Sequence, residues 1–152
     1  MKHLIKHLFR NIFIFFVIGG IYTNIELIWR GVTYLPMLFI GGLSGIIVGS
    51  LNHFPLFSKL RMYQECIIGT ITTLIIEYTS GYILNVQLHM NIWNYKNLPF
   101  NLDGQICLYY GILWFMLIPF GIWLDDYLKY KFFNEGKQPI LTVYYKNLIT
   151  FK

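Results

Sequence analysis

The chain has 152 residues, of which 56% are hydrophobic, 19% aromatic and only 12% charged. A soluble domain of this size carries about 25% charged residues, so a mean hydropathy of +0.52 excludes a water-soluble globule and a disordered chain. The length allows one domain. Alanine is absent, which leaves the 13 glycines as the main small residues.

The fold class expected is all-α: a polytopic membrane protein, a bundle of four transmembrane helices with both termini cytoplasmic. Its spans appear as gaps between charges, because residues 11–25, 31–58, 78–95 and 104–124 carry none. A helix needs about 20 mostly apolar residues to cross the hydrocarbon core. The gaps predict helices at about 11–29, 35–53, 65–85 and 104–124, an outer loop at 86–103 and a cytoplasmic tail at 125–152.

Helix one follows Lys2, Lys6 and Arg10, an arrangement also found in secretory signals. A cleavable signal needs a small-residue site of the A-x-A kind, and Glu26 and Arg30 follow the apolar run directly, so helix one is expected to be retained. Glu26 and Arg30 stand i,i+4 at its outer end, where a local ion pair contributes a few tenths of a kcal/mol (roughly 0.2–0.5). Arg30 is also set against that side's charge bias, which points to a specific partner: Glu26, Glu77 or an anionic ligand.

Helix two carries Gly41, Gly45 and Gly49 at spacing four. That spacing keeps them on one face, where the missing side chains let a second backbone approach. Packing within the chain and a homodimer seam both fit. Helix three carries a polar stripe of Thr70, Thr73, Glu77, Gly81 and Asn85. Glu77 lies about 18 Å along the helix from Glu65, past the middle, where an ionisable group needs the bundle interior or water and a partner. Packing glue and a functional group are both open for it.

The outer loop contains Trp93, Asn94, Tyr95, Lys96, Pro99, Asn101, Asp103, Gly104 and Gln105. Its aromatic residues suit the headgroup level. A simple aromatic belt has no need of so many amides around Pro99 and Gly104. They are expected to form a folded cap that satisfies loop backbone or binds a polar ligand. Past helix four, Asp125, Asp126, Lys129, Lys131 and Glu135 alternate with apolar residues. This tail is expected to continue helix four and then to lie along the inner membrane surface.

Ten of the twelve basic residues flank the spans on one side, against Arg30 and Lys96 on the other. The positive-inside rule then places both termini and the middle loop in the cytoplasm. The net charge of +5 follows this topology and contact with anionic lipid rather than a nucleic-acid footprint. Cys66 and Cys107 fall at opposite ends, so no disulfide is expected between them. His3, His7, His53 and His89 are scattered, with no metal-ligand spacing. Neither a metal nor a cofactor is expected, and no GxxxxGK[ST] phosphate loop is present.

Several segments taken together carry a resemblance. They are Glu26-Leu27-Ile28-Trp29-Arg30-Gly31, the run Met37 to Asn52, Glu77 with Gly81 and Asn85, Trp93 to Pro99, Asn101 through Cys107, and Asp125-Asp126. The chain resembles the putative ABC-transporter type IV family of small bacterial membrane proteins, the CmpB-like group, from about residue 15 to 135. It departs from that pattern at Asn94 and Lys96, where the family often has Asp and Ser, and at Thr33-Tyr34, where a Ser-His pair is replaced.

The resemblance implies a transport-associated membrane protein of the cell membrane, a permease-like or accessory subunit. Glu26, Arg30, Glu77, Asn85, Trp93, Asn94, Tyr95, Asn101 and Gln105 are then expected to contact substrate. Membrane lipids, a homo-oligomer, or a separate ATPase or membrane subunit are the expected partners, and nucleic acid is not. Two alternatives remain: an integral-membrane enzyme on a lipid or lipid-linked substrate with Glu77 as acid/base, and a regulatory or scaffolding subunit.

Overall fold

Proline, glycine and paired charge set the helix ends in the computed structural model, which describes residues 2–53 and 59–152. Helix α1 spans Lys2–Arg30 and stops where Gly31 turns left-handed at φ 72°, the conformation that glycine enters without steric cost. Helix α2, Leu35–Gly49, starts with Pro36 in its first turn, where a missing N–H costs nothing, and runs into a 3₁₀ turn at Leu51–His53. Helix α3, Met62–Gly81, continues as a π-helical turn through Tyr82–Gln87. At its start, Gln64 Oε1 accepts the Arg61 N–H at 2.9 Å.

Strands β1 (Asn101–Leu102) and β2 (Ile106–Cys107) pair antiparallel. Asp103 and Gly104 between them both have positive φ, as the turn of a tight hairpin requires. Helix α4, Leu108–Phe133, ends at a left-handed Asn134, and a short α5 follows at Leu141–Ile149.

Leu4–Arg30, Leu35–His53, Met62–Gln87 and Leu108–Phe133 are long and apolar enough to cross a membrane. The chain is a mostly helical, multi-pass membrane protein. The fourth helix differs most from its expected range of 104–124. It begins later because the hairpin holds residues 101–107, and it ends later because Asp125 and Lys129 neutralise each other one turn apart. A charge therefore does not mark the end of the helix. Similarly, α1 takes in Lys6 and Arg10, which both pair with Glu135. Phe16, Phe39, Ile71, Ile75, Ile112 and Met116 point outward, which in water would be an aggregation surface and in a bilayer is the lipid-facing side.

Helices α1 and α2 approach backbone to backbone. A Cβ on Gly42 would sit 2.7 Å from the Phe15 carbonyl oxygen, and one on Gly41 would sit 2.6 Å from the Tyr22 ring; a Cβ on Gly45 would strike Ile18. Gly49 turns instead to α4 and packs on Asp125. The glycine face of α2 is thus occupied by helices of the same chain. Gly19 is the α1 counterpart, lying against the Leu38 carbonyl, whereas nothing lies within 4 Å of a Cβ on Gly20.

These adjacent glycines are expected to respond oppositely to alanine. Gly19→Ala forces the two backbones apart and costs about 1–3 kcal/mol. Gly20→Ala is stabilising or neutral, since alanine is favoured in a helix by about 0.5–1 kcal/mol. Unfolding in mixed micelles reads both, and equal responses would contradict this packing.

Candidate functional site

Two polar clusters lie at opposite ends of the bundle. At the end carrying the long loop, Glu26 is 6% exposed. Arg30 Nη1 donates to Glu26 Oε1 at 2.6 Å, Thr33 Oγ1 donates to Glu26 Oε2 at 2.5 Å, and Arg30 Nη2 donates to the Ile92 carbonyl at 2.5 Å. Arg30 therefore holds the loop to α1, and two of its partners are Glu26 and a main-chain oxygen.

Glu77 also has its partners within the chain. Tyr95 Oη donates to Glu77 Oε1 at 3.1 Å and Trp114 Nε1 donates to Oε2 at 3.0 Å. Tyr22 stacks on Trp114 and Tyr95 stacks on Tyr110, enclosing the carboxylate in aromatic surface. Burial, then the neighbouring Glu77 and Tyr22, push the Tyr95 hydroxyl up from its ordinary range, so it remains protonated as a donor. Beneath lies a cavity of about 90 Å³ lined by Tyr22, Ser44, Thr73 and Trp114 among others.

The π-helical turn directs Asn85 into the loop. Its Oδ1 accepts the Ile92 N–H at 2.7 Å and its Nδ2 donates to Gln105 Oε1 at 2.9 Å. Trp93 Nε1 donates to the Gln105 carbonyl at 2.9 Å. Gly81 makes room for both, because a Cβ there would lie 2.5 Å from Gln105 Oε1 and 2.9 Å from the Trp93 ring. Asn94 Oδ1 accepts the Lys96 N–H, while Asn101 donates to the Leu98 carbonyl and accepts the Gly104 N–H.

All nine residues expected to contact substrate thus gather at one end. Buried Glu26 pairs with exposed Arg30, buried Glu77 with half-buried Tyr95, and Asn85, Trp93 and Gln105 form a buried group joined to Arg30 through the Ile92 backbone. Asn94 and Asn101 instead turn back on their own loop. Trp114 is a partner that no spacing rule connects to Glu77, 37 residues away.

At the termini end, a cavity of about 900 Å³ opens between α1, the 3₁₀ turn, α4 and the segment leading into α5. Asp126 forms part of its wall and accepts Asn52 Nδ2 at 3.1 Å and Tyr144 Oη at 2.7 Å, with His53 Nε2 at 3.2 Å. Asp125, 2% exposed, holds Lys129 Nζ at 2.5 Å. Partial burial would raise the Glu135 carboxyl, but Arg10 and Lys6 outweigh it and hold that group below the usual range. Burial and the bond to Asp126 push the Tyr144 hydroxyl up.

Rather than simply trailing from α4, the tail folds back against the bundle. Tyr144 and Leu148 pack on the Val48, Met62, Cys66, Ile118 and Ile122 cluster, and the Met62 N–H donates to the Lys152 carbonyl at 2.8 Å. The uncharged gap ends at residue 124, so hydropathy gives no sign that Asp125 and Asp126 belong to a polar cluster at this end. The i,i+4 pairing of Asp125 with Lys129 was the available signal.

Fold and polar clusters together define a small four-span membrane protein with buried ionisable groups at both ends. The chain belongs to the family described as putative ABC-transporter type IV, whose model matches residues 6–151. No solved structure matches it.

Proposed function

We propose that this protein is a membrane-spanning subunit of a transport assembly driven by a separate ATPase. Family membership across residues 6–151 carries the reading. These 152 residues carry no GxxxxGK[ST] phosphate loop, so they do not themselves supply a nucleotide-hydrolysing site of that kind. Both termini and the 900 Å³ cavity lie on the cytoplasmic side, as the placement of ten of the twelve basic residues supports. Glu26, Arg30, Glu77, Asn85, Trp93, Asn94, Tyr95, Asn101 and Gln105 form the outer closure and meet the substrate when it opens. Four helices enclose little volume, so a second copy or another membrane subunit completes the pathway.

Crosslinking in native membranes followed by purification in mild detergent tests this. An ATP-hydrolysing subunit is expected to copurify in fixed stoichiometry. A strict monomer with no such subunit, and no substrate-dependent flux after reconstitution, would overturn the proposal. The same membranes report orientation. A membrane-impermeant thiol reagent is expected to label Lys96→Cys in intact cells and Lys137→Cys only after permeabilisation; the reverse pattern rejects the assignment.

A further inference from the structure

The geometry points to a site for one divalent transition-metal ion at the termini end, held by His53 and Asp126 and completed by Asp125. Its ligands come from the 3₁₀ turn after α2 and from α4. His53 Nε2 lies 3.2 Å from Asp126 Oδ1 and 3.9 Å from Asp125 Oδ2, and one ligand atom from each of the three falls within 4.8 Å of the others. Two donors each about 2.1 Å from a shared ion stand about 3.0–4.2 Å apart at bond angles of about 90–180°. Both His53 distances already fall in that range.

A second observation is independent of this spacing. Asn52 Oδ1 is buried without a hydrogen-bond partner, while its Nδ2 donates to Asp126. A buried oxygen without a donor, as at Asn52 Oδ1 beside Asp126, is costly, and a cation at this cluster offsets that cost. Glu65 is 6% exposed, and its electrostatic neighbours are Asp126 and His53. Three carboxylates stand against one ammonium, that of Lys129, so the formal balance favours a dication.

Donor chemistry narrows the ion. An imidazole among carboxylates suits zinc, manganese, iron, cobalt or nickel better than magnesium or calcium. Tyr144 donates to the Asp126 oxygen not facing His53, which orients that carboxylate as hydrogen bonds to metal-bound carboxylates do. The 900 Å³ cavity, with His53 and Asp126 in its wall, supplies an entry route. Coordination uses the Nε2 lone pair, so the imidazole keeps its proton on Nδ1. Any proton on Nε2 is released to solvent.

The test uses the full chain in detergent micelles, stripped with chelator and titrated with Co²⁺ alone. One Co²⁺ per chain is expected, with visible ligand-field absorption that Zn²⁺ abolishes by displacement. His53→Gln is expected to weaken binding by about 10-fold or more, with a metal-free melting midpoint near that of the parent. His89→Gln, at the loop end, leaves binding unchanged. Absence of stoichiometric Co²⁺ binding, or parental affinity in His53→Gln, would overturn the site.

Discussion

Asp125→Ala, measured with chelator present, is expected to destabilise the protein by about 3–5 kcal/mol, the cost of leaving one member of a buried ion pair alone. Lys129 is 7% exposed and loses its 2.5 Å partner. Asp126 is a poor substitute because Asn52, His53 and Tyr144 already surround its oxygens. Truncation adds no steric conflict, since the Asp125 side chain packs on Gly49. Adding Lys129→Met removes the orphaned charge, and the double variant is expected to recover most of the loss, as apolar replacement of a buried pair is often neutral. Unfolding in mixed micelles checks this. Equal stability of the single and double variants would show that the ion pair is not the cause.

Asn85→Leu is expected to cost about 2–5 kcal/mol. It strands two buried groups, the Ile92 N–H and Gln105 Oε1, at about 1–3 kcal/mol each. The effect should be local as well as global. Ile92 and Trp93 pack on Met37, and Arg30 holds the Ile92 carbonyl, so loosening Asn85 frees the loop from both α1 and α2. Limited proteolysis between residues 86 and 103 should quicken in Asn85→Leu. By contrast, Asn94→Ala loses one exposed bond to the Lys96 N–H and should stay within about 1 kcal/mol of the parent. Parental proteolysis of Asn85→Leu would mean that the loop is held by other contacts.

These two sites differ in how far they could be read from the sequence. Asn94 and Asn101 bond to backbone two or three residues away, so local turn chemistry already accounts for them. Glu77 was legible as a buried acid that needs a partner, but Trp114 lies 37 residues further along. Arg30 and the Ile92 carbonyl are 62 residues apart. Asp125 is expected on the continuation of helix four and lies there, although the uncharged gap itself stops at residue 124. A neutralising lysine one turn later lets the helix continue.

The sequence by itself determined the class and the number of spans. Transfer into a bilayer sums along a local stretch of residues, and 28 consecutive positions without charge, 31–58, leave little else to form. The glycine spacing of α2 belongs here as well, since a helical repeat converts spacing into a shared face. Only the tertiary structure decided what those faces meet: α1 at Gly41 and Gly45, α4 at Gly49. It also brought His53, Asp125, Asp126 and Glu65 together from three separate elements. Hydrogen bonds and ion pairs act over a few ångströms through space, and proximity between distant segments is set by how the helices pack.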